Sequence, residues 1–346
     1  MAMTTIQRPA APVTTFTRAR PRPIQRVLAA VTFLIGLAFV ATTLIVNLFS
    51  VGPAFERLTD GFRPVMTQHS IAVERADIAQ LAATGQEFQT KVLPALATQL
   101  NMTPAQLNGM MTTQFPAVAS GLTAIPTVGP TFNGLITTLG LQRPYFTSAD
   151  AIPTRNLPAT TLPWGLFVAG LVVIGVGVYM WFTPRVGAIV ALVVGTVLIA
   201  VPLLLSLPQK ASNADTLNNN LKPVYTQSLI TNSNAALATL GAMGTQMQTG
   251  MMPALATQLK MTPAQLQTFF QQTFPTTATT LATMPATMTR FQGLVGTFRS
   301  ELSDYNTLKP VTLLPIVWVM IGGGIALFLI GGAGTWMTRR TTDVIA

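Results

Sequence analysis

Hydrophobic residues are concentrated in four long runs along the chain. The runs cover residues 27–50, 162–182, 186–207 and 313–336. Each is about 20 residues long, which is the length that a helix needs to cross about 30 Å of hydrocarbon. The pattern therefore predicts four transmembrane helices, separated by two long segments (residues 51–161 and 208–312) and a short link (183–185).

The two long segments carry apolar residues at helical spacing, and neither contains a run with the two-residue period of a strand. Thr103-Pro104 and Thr262-Pro263 are typical helix starts, with a threonine N-cap before a proline at the first helical position. In the first segment we predict a long helix from about Pro53 to Asn101 that continues the first span outward as a stalk. Prolines perturb this helix or start three shorter ones; they are Pro64, Pro94, Pro104, Pro116 and Pro126.

The chain repeats itself at an offset of 159 residues. The sequence PALATQL occurs at 94–100 and again at 253–259, and MTPAQL occurs at 102–107 and 261–266. More than a third of the positions aligned by this offset are identical, without a gap. We call residues 51–161 the first copy and residues 208–312 the second copy. Since each unit contains two spans, the two units should have the same orientation and be related by a pseudo-two-fold axis along the membrane normal.

Basic residues determine the predicted orientation. The chain has 20 Lys and Arg against 10 Asp and Glu. Arginines precede the first span, occupy the short link and follow the fourth span; they are Arg8, Arg18, Arg20, Arg22, Arg26, Arg185, Arg339 and Arg340. The positive-inside rule then places the tails (residues 1–26 and 337–346) and the link in the cytoplasm and both copies outside it. Because the basic excess lies beside the spans, we expect no nucleic-acid partner.

The predicted fold class is therefore an all-α membrane protein with four transmembrane helices and two homologous extracytoplasmic helical domains. The Ala, Thr, Pro and Arg bias is typical of a GC-rich bacterial genome, so we expect the protein to lie in a bacterial plasma membrane. Only 9% of the residues are charged, and the most polar residue at any span is Asn47. Pumps and ion-coupled carriers need charge inside the membrane, whereas the glycines of these spans favour close helix packing.

Sequence motifs for catalysis are absent. The chain has no cysteine, which excludes thiol catalysis, disulfides and cysteine-based zinc sites. It also lacks a phosphate-binding glycine loop, a zinc-protease pair, a nucleophile elbow and the kinase signatures. We predict a protein that is not an enzyme and has no catalytic residues, cofactor or metal.

The segment best retained between the copies surrounds the PALATQL and MTPAQL sequences. Structural helix capping explains this agreement at least as well as binding does, and we favour capping. If the segment binds a partner or ligand, the residues that we single out are Met102, Gln106, Met110, Phe115, Met261, Gln265, Phe269 and Phe274.

Charges of the same sign recur just outside the membrane in both copies. Glu56 aligns with Asp215, and Arg63 aligns with Lys222. We expect these juxtamembrane charges to stabilise the first outer helix of each copy or to contact lipid headgroups.

Comparison of the copies argues against a metal site. Met243, Met247 and Met251 recur at helical spacing and could bind Cu(I) through their thioethers. The first copy has ordinary core residues at the equivalent positions, so we favour packing. His69 is the only histidine, and without a second ligand it is a poor metal site.

The densest acidic group comprises Glu74, Asp77 and Glu87. The second copy has Ser233, Ala236 and Gln246 at these positions, and Arg75 and Lys91 lie nearby in the first copy. We interpret the group as a solvated helix face and not as a catalytic carboxylate pair.

The leading functional hypothesis is an accessory or scaffold subunit whose paired outer domains bind a protein partner or an apolar envelope component. The alternatives are transport of a lipid or small apolar solute between the repeats, and an extracytoplasmic sensor. The expected partners are membrane lipid and another membrane or envelope protein, or a second copy of the chain. Since the shared residues form a skeleton of prolines, caps and apolar positions, we expect specific activity where the copies meet or differ.

Overall fold

The computed structural model describes residues 23–154 and 157–342. Most of the predicted N-terminal tail, with Arg8, Arg18, Arg20 and Arg22, lies outside the described residues, as do the side chains of Arg339 and Arg340. All the regular structure in the described ranges is helical, as predicted. The α-helices are α1 (Pro23–Ile45), α2 (Leu48–Phe62), α3 (Gln68–Glu87), α4 (Leu93–Gln99), α5 (Pro104–Gln114), α6 (Pro116–Ala149), α7 (Thr161–Phe182), α8 (Pro184–Leu204), α9 (Leu207–Leu221), α10 (Gln227–Gln246), α11 (Met252–Gln258), α12 (Pro263–Thr273), α13 (Pro275–Ser300), α14 (Leu302–Leu308) and α15 (Leu313–Thr342). Short π-helices, Phe88–Val92 and Met247–Met251, join α3 to α4 and α10 to α11.

Four of these helices are long and apolar enough to cross a membrane. They are α1, α7, α8 and α15, with 21 to 25 residues in each apolar stretch. The prediction of four such helices is confirmed.

The prediction of one long helix from about Pro53 to Asn101 that continues the first span was wrong, because α2 does not continue α1 directly and ends at Phe62. Asn47 lies between α1 and α2 and adopts the left-handed backbone conformation, with a φ of 53°. Ser206 lies at the equivalent position, between α8 and α9, and has the same φ. A left-handed residue ends the run of helical hydrogen bonds and redirects the chain. The chain breaks again at Pro64, and Thr67 then caps α3 by accepting a hydrogen bond from the backbone N–H of Ser70.

The prediction that Pro126 starts a helix was wrong. Helix α6 runs through Pro126, Pro130 and Pro144 without a break. All three prolines are exposed, whereas the opposite face of the helix buries side chains such as Ile125 and Phe132. Burial of that face outweighs the hydrogen bonds that the prolines remove.

The described chain forms two compact units, and each is considered by itself. The larger unit comprises residues 41–167 and 200–320. At its centre α3 packs against α6 and α13, and α10 packs against the same two helices. Buried apolar side chains from residues 62–152 and 214–305 join in one continuous core, to which both copies contribute.

The smaller unit contains the remaining parts of the apolar helices, which approach each other closely at glycines. A Cβ atom added to Gly36 of α1 would lie 2.6 Å from the backbone N of Ile174 and 2.8 Å from the carbonyl O of Gly170, both in α7. A Cβ on Gly195 of α8 would lie 2.7 Å from the carbonyl O of Gly324 in α15. The glycines therefore allow backbone contact within each helix pair.

Candidate functional site

Two of the residues singled out from the sequence are helix caps. The Gln106 side chain accepts a hydrogen bond from the Thr103 backbone N–H at 2.9 Å, and the Thr103 hydroxyl accepts one from the Gln106 N–H at 3.3 Å. Gln265 and Thr262 make the same reciprocal pair at 2.8 Å and 3.3 Å. These capping boxes start α5 and α12 and use the side chains that a ligand would otherwise contact.

The aromatic and methionine residues of that set pack mainly inside each copy. Phe115 and Phe274 are buried where α6 and α13 begin. The other four are half-buried against the common core; they are Met102, Met110, Met261 and Phe269. In the second copy Phe269 and Phe274 meet edge to face, with ring centroids 5.8 Å apart. The set therefore lies mostly in packing positions.

A groove opens beside this segment in the first copy. It lies between α4, α5 and α6 and has a volume of about 1120 Å³. None of its lining residues is charged. Its buried floor includes Ala97, Leu107 and Met111, and its exposed rim includes Asn108 and Thr123. Apolar floors with an uncharged polar rim are typical of sites for apolar or neutral ligands and peptide segments.

The equivalent region of the second copy differs in chemistry. Phe270 stands where the first copy has Met111, and its ring packs against Phe274 with centroids 5.4 Å apart. The Gln248 side chain donates a hydrogen bond to the carbonyl O of Leu281 at 3.1 Å and so links the π-helix to α13. The two copies therefore present different surfaces at the same place in the fold.

Among the contacts between the copies are two that are equivalent by the 159-residue offset. In one, which we call the polar seam, α3 packs against α13. In the other, which we call the methionine seam, α10 packs against α6. The chemistry of the two seams is opposite.

Each copy caps the long helix of the other. In the polar seam the Glu87 carboxylate accepts hydrogen bonds from the backbone N–H of Thr277 at 2.7 Å and from its hydroxyl at 2.9 Å. At the equivalent point of the methionine seam, the Gln246 side-chain O accepts from the N–H groups of Ala117 and Val118 at 2.8 Å and 3.0 Å. Both acceptors satisfy free N–H groups in the first turn of a helix and oppose the positive end of its dipole.

The interpretation of the acidic group as a solvated helix face was wrong. Glu74 and Glu87 are 5% and 6% exposed, and Asp77 forms a bidentate ion pair with Arg290 of α13 at 2.7 and 2.8 Å. The physical reason is that α13 covers this face of α3. Its sequence supplies the hydroxyls, N–H groups and guanidinium that bind the carboxylates.

Glu74 lies buried in the polar seam with one carboxyl oxygen that has no hydrogen-bond partner in the described chain. Burial and, to a smaller extent, the charge of Asp77 raise the pKa of Glu74 to about 7, against a partly offsetting effect of Arg290. The carboxyl is therefore half protonated near neutral pH. Farther along the seam the buried hydroxyls of Thr84 and Thr280 share a hydrogen bond of 2.6 Å.

The methionine seam is apolar at the matching positions. Met243 is the equivalent of Thr84, and Gly121 is the equivalent of Thr280. A Cβ atom on Gly121 would overlap the Met243 side chain, so the methionine fills the space that glycine leaves. Met247 and Met251 are buried in the core from the adjoining π-helix. The packing interpretation of this triplet is supported by these contacts.

Three of the four charges predicted to lie beside the membrane have separate partners. Arg63 pairs with Asp150 at 2.7 Å and with Asp60 at 2.9 Å, and the Asp150 hydrogen bond raises the pKa of Arg63. Asp215 accepts hydrogen bonds from the backbone N–H groups of Leu313 and Leu314 and caps α15. Lys222 donates to Asn219 at 2.7 Å. Glu56 lies half-buried in α2.

Two buried tyrosines offer little acid–base chemistry near neutral pH. Tyr225 and Tyr305 stack with ring centroids 4.2 Å apart, and burial raises the pKa of both, that of Tyr305 to about 12. His69 is exposed at the start of α3. Among the residues that the structure describes, no three His, Asp or Glu side chains are grouped to hold a metal ion.

No protein-family model matches the chain, and no curated protein or solved structure matches it either. Sequence reasoning missed Arg290 and Thr277 as partners of the acidic group. One signal was available: Arg290 is the only arginine in residues 223–298, and it aligns with an uncharged threonine in the first copy.

Proposed function

We propose that this protein is a non-enzymatic scaffold or accessory subunit of a bacterial envelope complex, and that the first-copy groove docks a partner protein. The groove between α4, α5 and α6 carries the proposal. Its volume and its uncharged lining fit an apolar or neutral segment of a partner, such as one helix or extended strand. The equivalent surface of the second copy, with Phe270 and the Gln248 bridge, would then be the non-binding one.

The proposal includes a membrane placement. The four apolar helices would cross the plasma membrane with both termini in the cytoplasm and both copies outside. The copies would be related by a pseudo-two-fold axis along the membrane normal. Support comes from paired features at matching positions: the crossed Glu87 and Gln246 caps, and the two glycine contacts that join α1 to α7 and α8 to α15.

A non-enzymatic role is supported by what the buried polar groups already do. The carboxylate of Glu87 is occupied in capping, and that of Asp77 is occupied by Arg290. Glu74 lies in the closed polar seam and is not a groove residue. A reactant in the groove would therefore meet only amide, hydroxyl and apolar groups.

The docking proposal can be tested with a photoreactive amino acid placed at matched positions. Asn108 is on the groove rim, and its equivalent in the second copy, Gln267, is also exposed. In living cells of the native host, benzoylphenylalanine at Asn108 should crosslink one defined protein, and the same group at Gln267 should not. Thr123→Arg, which puts a charge on the rim, should abolish the crosslink, whereas Ala282→Arg at the equivalent position should leave it unchanged. Equal crosslinking from both positions, or none from either, would contradict docking in the groove.

The orientation has its own test. The chain has no cysteine, so single cysteines report without background. Thr268→Cys, which is exposed in the non-binding second copy, should react with a membrane-impermeant maleimide in intact cells, and Thr183→Cys should react only after lysis. The reverse pattern would invert the proposed topology without affecting the groove.

A second candidate function, lipid or apolar-solute handling, is favoured by an apolar cavity at the base of the larger unit. The continuous core between the copies supports the scaffold over a carrier with a path between the repeats.

A further inference from the structure

A second cavity of the larger unit lies where α2, α7, α9 and α15 come together. Its volume is about 90 Å³, and every residue that lines it is apolar. Val51 and Leu166 lie on the first-copy side, and Leu207, Ala211, Val317 and Met320 lie on the other. Both copies thus contribute to one small hydrocarbon-lined space, distinct from the groove.

The cavity lies beside the beginnings of two apolar helices. Its residues from α7 and α15 belong to the first turns of those helices, and α2 and α9 begin directly after the left-handed residues Asn47 and Ser206. Ile45 and Leu204, which precede those residues, are 83% and 82% exposed. Apolar side chains with such exposure are stable where they face lipid tails and unfavourable in water.

Aromatic rings also lie near the beginnings of these helices. Trp164 and Trp318 are both more than half exposed, and Trp164 packs edge to face on Phe49 with centroids 5.0 Å apart. Tryptophan is enriched at the boundary between headgroups and hydrocarbon. With the membrane placement proposed above, the cavity therefore lies at the outer edge of the hydrocarbon layer.

The lining determines which chemistry the cavity can accept. A buried water needs two to four polar partners, and no lining side chain offers one. Two cations beside lining residues are engaged: Lys210 donates to the carbonyl O atoms of Ala151 and Pro153, and Arg57 pairs with Asp304 at 2.6 Å. The lining itself offers a phosphate headgroup no polar side chain. A hydrocarbon guest would restore the dispersion contacts that an empty apolar space lacks.

The volume limits the shape of the guest. An apolar cavity of about 150 Å³ holds benzene. At about 90 Å³ the present cavity is narrower than that, and it suits the terminal methylene groups of an unbranched chain.

We propose that this cavity holds the end of an acyl chain of a bilayer phospholipid. The inference rests on the membrane placement proposed above and not on partner docking in the groove. The chain end would enter from the surrounding lipid and pack between the two copies.

Photolabelling of the full chain in lipid nanodiscs tests the proposal. The probe is a phosphatidylcholine with a diazirine at the end of one straight acyl chain, mixed into phosphatidylethanolamine and phosphatidylglycerol. Peptide mapping by mass spectrometry should find label on Val51, Val317 or Met320. Ala211→Leu, which fills the cavity, should reduce that label by about tenfold, which corresponds to about 1.4 kcal/mol of affinity. Ala282→Leu, the same change at an exposed site, should not reduce it.

A second variant separates loss of the site from loss of the fold. Val317→Ala enlarges the cavity, so label there should rise, and a probe with a branched chain end should now label it as well. If both cavity variants leave the labelling unchanged, the acyl-chain proposal is overturned. Exposed residues Val193 and Leu329 of the apolar helices provide the reference. Label on Val193 and Leu329 without label in the cavity would overturn only the acyl-chain proposal. Label at neither place would overturn the proposed membrane placement.

Discussion

The two seams between the copies occupy equivalent places in the chain and are held together in opposite ways. In the polar seam two carboxylates of α3 bind groups of α13, and a third carboxyl, Glu74, is buried beside them. In the methionine seam Met243 packs into the space above Gly121, and a neutral amide replaces the carboxylate cap. The backbone features that surround both seams match, including the π-helices and the capping boxes.

The contrast indicates that helix placement in this protein depends on filled volume and on satisfied hydrogen bonds at helix ends more than on any one type of interaction. Methionine is flexible and fills irregular gaps, so it can replace a polar pair where the facing residue is glycine. The polar seam, in contrast, depends on each member having its partner, because a buried charge or donor without one is costly. We therefore expect the two seams to respond differently to substitution.

Loss of the carboxylate cap should destabilise the protein most. Glu87→Ala leaves the N–H and hydroxyl of Thr277 without their acceptor in a buried place, which should lower the free energy of unfolding by about 3 kcal/mol. Gln246→Ala, the matched change in the methionine seam, removes a neutral acceptor and should cost about 1.5 kcal/mol. Denaturant unfolding in detergent, monitored by circular dichroism, measures both losses of stability. Equal losses would remove the energetic distinction between the seams.

The next effect depends on pH. The folded protein raises the pKa of Glu74 from its ordinary value of 4.5 to about 7, so between these values the folded state holds a proton that the unfolded chain has lost. Stability should therefore fall as pH rises from about 4.5 to about 7 and stay at the lower level above that. Glu74→Gln cannot ionise and should be more stable than the native chain by about 3 kcal/mol at pH 8, with little difference near pH 4.5.

Thermal unfolding across this pH range tests the effect, with Glu56→Gln in α2 as the control. The control should keep the native pH profile. A native profile that stays flat between pH 4.5 and 7 would show that Glu74 is not held in its protonated form.

A smaller effect concerns the packing of the methionine seam. Gly121→Ala places a Cβ atom against Met243 and should destabilise the fold by about 1.5 kcal/mol, a typical cost of overpacking. Gly129→Ala, two turns later in α6, meets open space and should stabilise the helix by about 0.5 kcal/mol. Met243→Ala should relieve the first change in the double variant. No relief would mean that another contact limits this seam.

The smallest effect lies outside the seams, where the copies should agree. Thr103→Ala and Thr262→Ala each remove the hydroxyl of a capping box, and each should cost about 1 kcal/mol. Side-by-side chemical denaturation of the two variants is a direct comparison. Clearly unequal losses in the free energy of unfolding would show that the difference between the copies extends beyond the seams.

The sequence predicted the features that depend on local pattern. The four apolar helices follow from runs of about 20 apolar residues, and the starts of α5 and α12 follow from threonine before proline. The sequence also predicted a perturbation at Pro64, although not that one helix ends there and another begins at Gln68. These features need no knowledge of what lies across the fold.

The features that depend on distant partners could not be predicted in the same way. The solvated-face interpretation of Glu74 and Glu87 failed because α13, which covers them, lies about 190 residues later in the chain. The continuity of α6 through Pro126 depends on how much of its opposite face is buried, which local sequence does not state. The groove likewise arises from the space between three helices and not from a motif.

The crossed caps have a consequence for the independence of the two halves. Neither half supplies the acceptor for the first turn of its own long helix: Glu87 completes α13, and Gln246 completes α6. A half-length chain that ended after α7 would retain Glu87 and α6 but lose Gln246. We expect this half-length chain to be soluble in detergent only as a homodimer, in which Glu87 of each subunit caps α6 of the other.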